Sequence, residues 1–151
     1  MKKKVVFTTL YLGSKPHPKF ISSLEKCLPH IEAIGWKHEI AIEENCPYIS
    51  AARSKLIRKA LDTNPTVVVF LDYDVSWTPK AMVRLLEAEG DVVAGTYRYK
   101  DVKERYMGAI ETGKNGNPLR RDSDGALLAY CVPAGFLKVS VAAINAFAKF
   151  H

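Results

Sequence analysis

Asp72 and Asp74 stand on either side of Tyr73, directly after five apolar residues, Val67–Leu71. In extended backbone, residues two apart project to the same side. Two carboxylates aimed at one point make a pair of hard oxygen ligands. That pair suits Mg²⁺ or Mn²⁺, with phosphate oxygens completing the coordination. The competing reading is an ordinary strand-end turn, with the aspartates capping backbone N–H groups or the next helix.

The elements around the pair explain why it stands there. Val67, Val68, Val69, Phe70 and Leu71 form a continuous run rich in β-branched residues, the pattern of a strand buried on both faces. Ionised carboxylates do not remain unpaired in an apolar core, so Asp72 and Asp74 are expected at the strand's carboxyl end. Open α/β sheets bind ligands along that edge. Thr78-Pro79 then predicts a helix start, with Met82, Val83, Leu85 and Leu86 facing inward and an end at Gly90.

Upstream, Lys4–Leu10 predicts a first buried strand that opens into a loop at Thr8, Thr9, Tyr11, Gly13 and Ser14. Phe20, Ile21, Leu24, Cys27, Leu28 and Ile31 recur at helical spacing, and Pro29 is expected to end or kink that helix. Trp36–Ile42 alternates as a second strand. Tyr48–Leu61 reads as a helix with a buried stripe of Ile49, Leu56, Ile57, Ala60 and Leu61. Arg53 lies beside that stripe, where a charge has little reason to sit unless it reaches an anion. Lys55, Arg58 and Lys59 read as a solvated basic face.

Downstream, Asp91–Thr96 predicts a short buried strand. Tyr97-Arg98-Tyr99-Lys100 follows, either a surface that stacks on a base or sugar and holds a phosphate, or an amphipathic edge strand. Tyr106–Thr112 reads as a strand, and Asn115-Gly116 as a hairpin turn. Asp122-Ser123-Asp124 lacks a preceding apolar strand and reads as a turn. Ala126–Val132 predicts another strand. Pro133-Ala134-Gly135-Phe136 interrupts, and Leu137–Phe150 is expected to be a helix.

A chain of 151 residues, 48% hydrophobic, buries one core of ordinary size, so a single domain over residues 1–151 is expected. The net charge of +6 favours an anionic partner, or serves solubility alone. Basic residues are scattered and form no nucleic-acid-binding motif, so no nucleic acid is expected as a partner. Cys27, Cys46 and Cys131 have no CxxC or zinc spacing, and no segment approaches a membrane span. A soluble, cytoplasmic protein is the expectation.

The ordered succession Ala52-Arg53-Ser54, VVVFLDYDVSWTP, DVVAGTYRYK and VPAGFLKVS resembles the nucleotide-sugar-dependent glycosyltransferases of the GT-A fold, in particular their small bacterial and viral members. The resemblance runs from about Lys4 to Ala148. It implies an α/β, Rossmann-like fold with a mostly parallel central sheet, helices on both faces and a small antiparallel portion. It also implies transfer of a sugar from a nucleoside-diphosphate donor to a glycan or other hydroxyl acceptor. A binding module that holds nucleotide-sugar or glycan without turnover is the alternative.

In that resemblance Asp72 and Asp74 are the DxD element holding Mn²⁺ (or Mg²⁺) and, through it, the donor diphosphate. Thr8, Thr9, Tyr11, Arg53 and Tyr73 complete the donor-binding set. Gly135 and Phe136 belong to the loop bordering the sugar and acceptor. The C-terminal part of the family fold, with its base-bearing acidic pair and metal-binding histidine, is expected to be missing after His151. Glu104, Glu111, Asp122 and Asp124 are the nearby carboxylates available as a base, and nothing in the sequence selects one.

Overall fold

The computed structural model describes residues 3–13, 15–121 and 125–150. Ser14, the Asp122-Ser123-Asp124 turn and His151 lie outside the described residues. In chain order the elements are β1 (Lys4–Tyr11), α1 (Pro18–Ala33), β2 (Lys37–Glu44), α2 (Ile49–Leu61), β3 (Val67–Leu71), α3 (Pro79–Glu87), β4 (Val92–Ala94), β5 (Ala109–Ile110), β6 (Ala129–Cys131), β7 (Phe136–Ser140) and α4 (Val141–Phe150).

Among the described residues, five strands form the central sheet in the order β2-β1-β3-β7-β4, while β5 and β6 pair as a separate two-stranded ribbon. All five residues of β3 are buried, as a strand covered on both faces must be. Side-chain alternation divides the core in two. Val5, Phe7, Val67, Val69, Leu71 and Phe136 pack beneath α1 and α3, which supply Phe20, Cys27, Ile31, Met82, Leu85 and Leu86. Val6, Val68 and Phe70 pack with Ala60 of α2 on the opposite face, joined at its margin by Ile144 of α4.

The sheet is mixed, which corrects the expectation of a mostly parallel Rossmann-like GT-A sheet. β1 pairs in parallel with β2 and with β3. β7 pairs antiparallel with both β3 and β4, separating them. The cause is connectivity. A parallel neighbour needs a crossover to the opposite edge, usually through a helix. Here the chain leaves β4 at the edge where Asp72 stands, makes the β5–β6 excursion, and re-enters at the same edge. Phe136 lies opposite Leu71 and Ser140 opposite Val67, so β7 runs back against its neighbours. With the parallel sheet falls the assignment of the chain to the GT-A fold and of Asp72-Tyr73-Asp74 to that fold's DxD element.

Other boundaries moved for local reasons. Phe136–Ser140 is strand, although Leu137–Ser140 was expected to open a helix, and of Leu137–Phe150 only Val141–Phe150 is helical. Ser140 marks the change, its hydroxyl accepting from the Ala143 amide at 3.0 Å. Pro29 lies inside α1 and does not end it. Ile49 is 60% exposed, and Ala52, Leu56 and Ala60 form the buried stripe of α2. β4 is an edge strand with Val92 half-exposed. The Asn115-Gly116 turn forms as expected: Gly116 has φ +77°, and the Gly113 amide donates to the Asn117 carbonyl at 2.9 Å.

Among the described residues no helix is long and apolar enough to cross a membrane.

Candidate functional site

β3 ends at Leu71, and the chain turns at once. The Val75 amide donates to the Asp72 carbonyl at 3.0 Å, closing a four-residue turn that holds both aspartates. They are therefore not on a continuing extended strand, and the alternation argument for their shared direction does not apply. The turn is fixed from two sides. The His17 amide, at the start of α1, donates to the Tyr73 carbonyl at 3.1 Å, and the Asp72 amide donates to the Gly135 carbonyl at 3.0 Å.

Each carboxylate meets a different cation. Arg53 Nη2 of α2 lies 3.2 Å from Asp72 Oδ1, with both side chains about one-third exposed. This contact places the Asp72 carboxylate toward α2, which accounts for the position suspected of Arg53. Lys100, beyond β4, pairs through Nζ with Asp74 Oδ2. That hydrogen bond raises the lysine's pKa.

Gly135 closes the floor. A Cβ there would overlap Tyr97 Oη and Asp72 Oδ2, so only glycine admits both oxygens so close to the backbone. The Gly135 amide donates to Tyr97 Oη at 3.1 Å. Burial raises the pKa of the Tyr97 phenol, and the negative charges of Asp72 and Asp74 add to the rise. Both carboxylates thus act on one phenol.

The remaining sequence candidates take varied places. Thr8 is buried and its hydroxyl donates to the Val69 carbonyl at 3.2 Å. Thr9 is 4% exposed, and its hydroxyl finds no hydrogen-bond partner among the described residues. By alternation the Thr9 side chain lies on the α1 face, opposite Arg53. Both threonines, with Arg53, Leu56, Phe70 and Asp72, line a narrow notch where β1 and β3 end. The Tyr11 phenol donates to Glu44 Oε1 of β2, and this bond raises its pKa. Phe136 is 6% exposed and packs on Trp77, ring centroids 5.6 Å apart, so it supports the loop from within the core.

Tyr97 and Lys100 were visible in the sequence only as an aromatic–basic alternation. Their contacts with Gly135 and Asp74 depend on β7 lying between β3 and β4, which no local spacing encodes. Among the described residues, no three His, Cys, Asp or Glu side chains gather as a ready metal cluster. Compared with known families, curated proteins and solved structures, the chain matches none.

Proposed function

We propose that the chain is a glycosyltransferase: it binds a nucleoside-diphosphate sugar through a divalent cation at Asp72 and Asp74 and transfers the sugar to a hydroxyl acceptor. One observation carries this reading. Two carboxylates on a single turn, at the edge where the parallel strands β1 and β3 end, are flanked by two cationic side chains from separate elements. A hard divalent cation fits two carboxylates when phosphate oxygens and water supply its other positions. Arg53 and Lys100 fit the charge that such a diphosphate brings.

In the transfer, the acceptor oxygen forms a bond to the sugar's anomeric carbon. The bond from that carbon to the diphosphate breaks, and its electron pair stays on the leaving phosphate oxygen. The acceptor proton passes to a base. When bound, Mn²⁺ or Mg²⁺ stabilises the negative charge that develops on the leaving diphosphate. Asp72 and Asp74 hold the cation, and Arg53 orients Asp72 while offering donors to phosphate oxygens. Gly135 keeps the floor low enough for Tyr97 to approach, and the Thr8–Tyr11 segment borders the nucleoside. The three free cysteines fit a cytoplasmic location.

A second reading, binding without turnover, rests on the state of the nearby carboxylates. Glu104 accepts from the Tyr106 phenol at 2.8 Å, and Asp101 is paired with Arg105. Incubation with UDP-, GDP-, CDP- and dTDP-sugars separates the two. Mn²⁺-dependent release of nucleoside diphosphate, lost in Asp74→Asn, supports transfer. Metal-dependent binding with no release from any donor supports the second reading.

A further inference from the structure

The candidate site contains a cation of its own, Lys100, bonded to one of the two carboxylates proposed to receive the metal. Lys100 is 78% exposed at its side chain, so packing does not impose this pairing. It stands on the segment between Tyr97 and Tyr106, which is folded back on itself. The Tyr99 amide donates to the Arg105 carbonyl and the Met107 amide to the Tyr97 carbonyl, each at 2.9 Å, and Arg98 bridges Tyr106. Arg105 stacks over Tyr99 with its guanidinium carbon 5.3 Å from the ring centroid. The loop is therefore a defined hairpin with one basic side chain delivered to Asp74.

We infer that Lys100 is a displaceable counter-ion: it holds Asp74 before the divalent cation arrives, and moves from the carboxylate to the donor diphosphate when the cation takes its place. This rests on the metal-and-diphosphate reading above. Charge balance governs the exchange. Ammonium and divalent cation compete for the same carboxylate oxygens, and their mutual repulsion at that distance excludes joint occupancy. An exposed lysine on a flexible four-carbon stem releases at little cost. The incoming diphosphate supplies the anion that recaptures it. Lys100 is thus a positioning residue that lowers affinity for bare metal and raises affinity for metal with diphosphate. The site is thereby biased against cation without donor.

The test compares the wild type with Lys100→Met, Lys103→Met and Asp74→Asn by titration calorimetry, first with Mn²⁺ alone. Lys103 is an exposed neighbour on the same hairpin and controls for the loss of one positive charge. Lys100→Met is expected to bind Mn²⁺ about two- to fivefold more tightly, Lys103→Met to match the wild type, and Asp74→Asn to lose binding. The second arm uses inorganic pyrophosphate with saturating Mg²⁺, which Lys100→Met is expected to bind about tenfold more weakly. If Mn²⁺ binds the wild type through Asp74 but Lys100→Met is unchanged, or Lys103→Met tightens equally, the counter-ion role is overturned and the metal site stands. Unchanged pyrophosphate binding overturns the transfer of Lys100 to the diphosphate. If no variant binds Mn²⁺, both this inference and the proposed function fall.

Discussion

The amide of Asp72 donates to the carbonyl of Gly135, 63 positions later in the chain, and Asp72 Oδ2 lies where a Cβ on Gly135 would have to be. The exit from β3 and the entry to β7 are consequently one structural unit, and anything that disturbs one displaces the other.

Gly135→Ala should therefore act on fold and site together. The added methyl meets Tyr97 Oη and Asp72 Oδ2 at once, and relieving both requires these two side-chain ends to swing away from the loop. Overpacking of this kind costs about 1–3 kcal/mol. A lower urea midpoint, with the Mn²⁺ response weakened in the same variant, is the expected result. An unchanged midpoint would show that the floor is looser than the geometry indicates.

Arg53→Met removes the cation beside Asp72. Because the pair is partly exposed, the stability loss should stay below about 1 kcal/mol. Diphosphate affinity should fall about tenfold, since a charged hydrogen-bond donor to phosphate is lost. Arg53→Lys should recover only part of that affinity, because an ammonium lacks the planar fork. Full recovery with lysine would reduce the role of Arg53 to charge alone.

Thr9→Val replaces a buried hydroxyl that has no partner among the described residues with a methyl group of similar shape. Such a change should raise stability by about 1 kcal/mol, measurable as a higher urea midpoint with an unchanged slope. A loss of more than 1 kcal/mol would identify a hidden partner for that hydroxyl.

The carboxyl of Glu43, at the end of β2, accepts from Lys59 and Lys55 of α2, and the Lys59 bond is the larger cause of its lowered pKa. A carboxylate with a depressed folded value contributes stability above its ordinary value of 4.5 and loses it as pH falls through the folded value. The wild type should therefore lose more stability between neutral pH and pH 3 than Glu43→Gln does. Parallel pH profiles would contradict the tether between β2 and α2.

Local patterns carried much of this architecture and missed its decisive strand. Val67–Leu71, the Thr78-Pro79 helix start and the Asn115-Gly116 turn were legible because short-range chemistry determines them. Thr78 accepts from the Ala81 amide at 3.2 Å, the cap its position predicts. Phe136–Ser140 was not legible as a strand. Lys138 interrupts its apolar run, and the apolar positions beyond it continue at helical spacing. The fold resolves this by burying Lys138 to 4% exposure and directing its ammonium to the Leu86 and Ala88 carbonyls at the end of α3. No local window contains that partner. The same long-range placement brings Tyr97 and Gly135 to the aspartate turn; Gly135 entered the sequence reading only through the family resemblance, and its contacts with Asp72 and Tyr97 were in no local pattern.

Thermal unfolding with UDP, GDP, CDP and dTDP, each with and without Mn²⁺, addresses the central claim most directly. The account predicts that at least one nucleoside diphosphate raises Tm only when Mn²⁺ is present, and that Asp74→Asn abolishes the rise. No shift with any of the four, or a shift indifferent to both Mn²⁺ and Asp74, would contradict it.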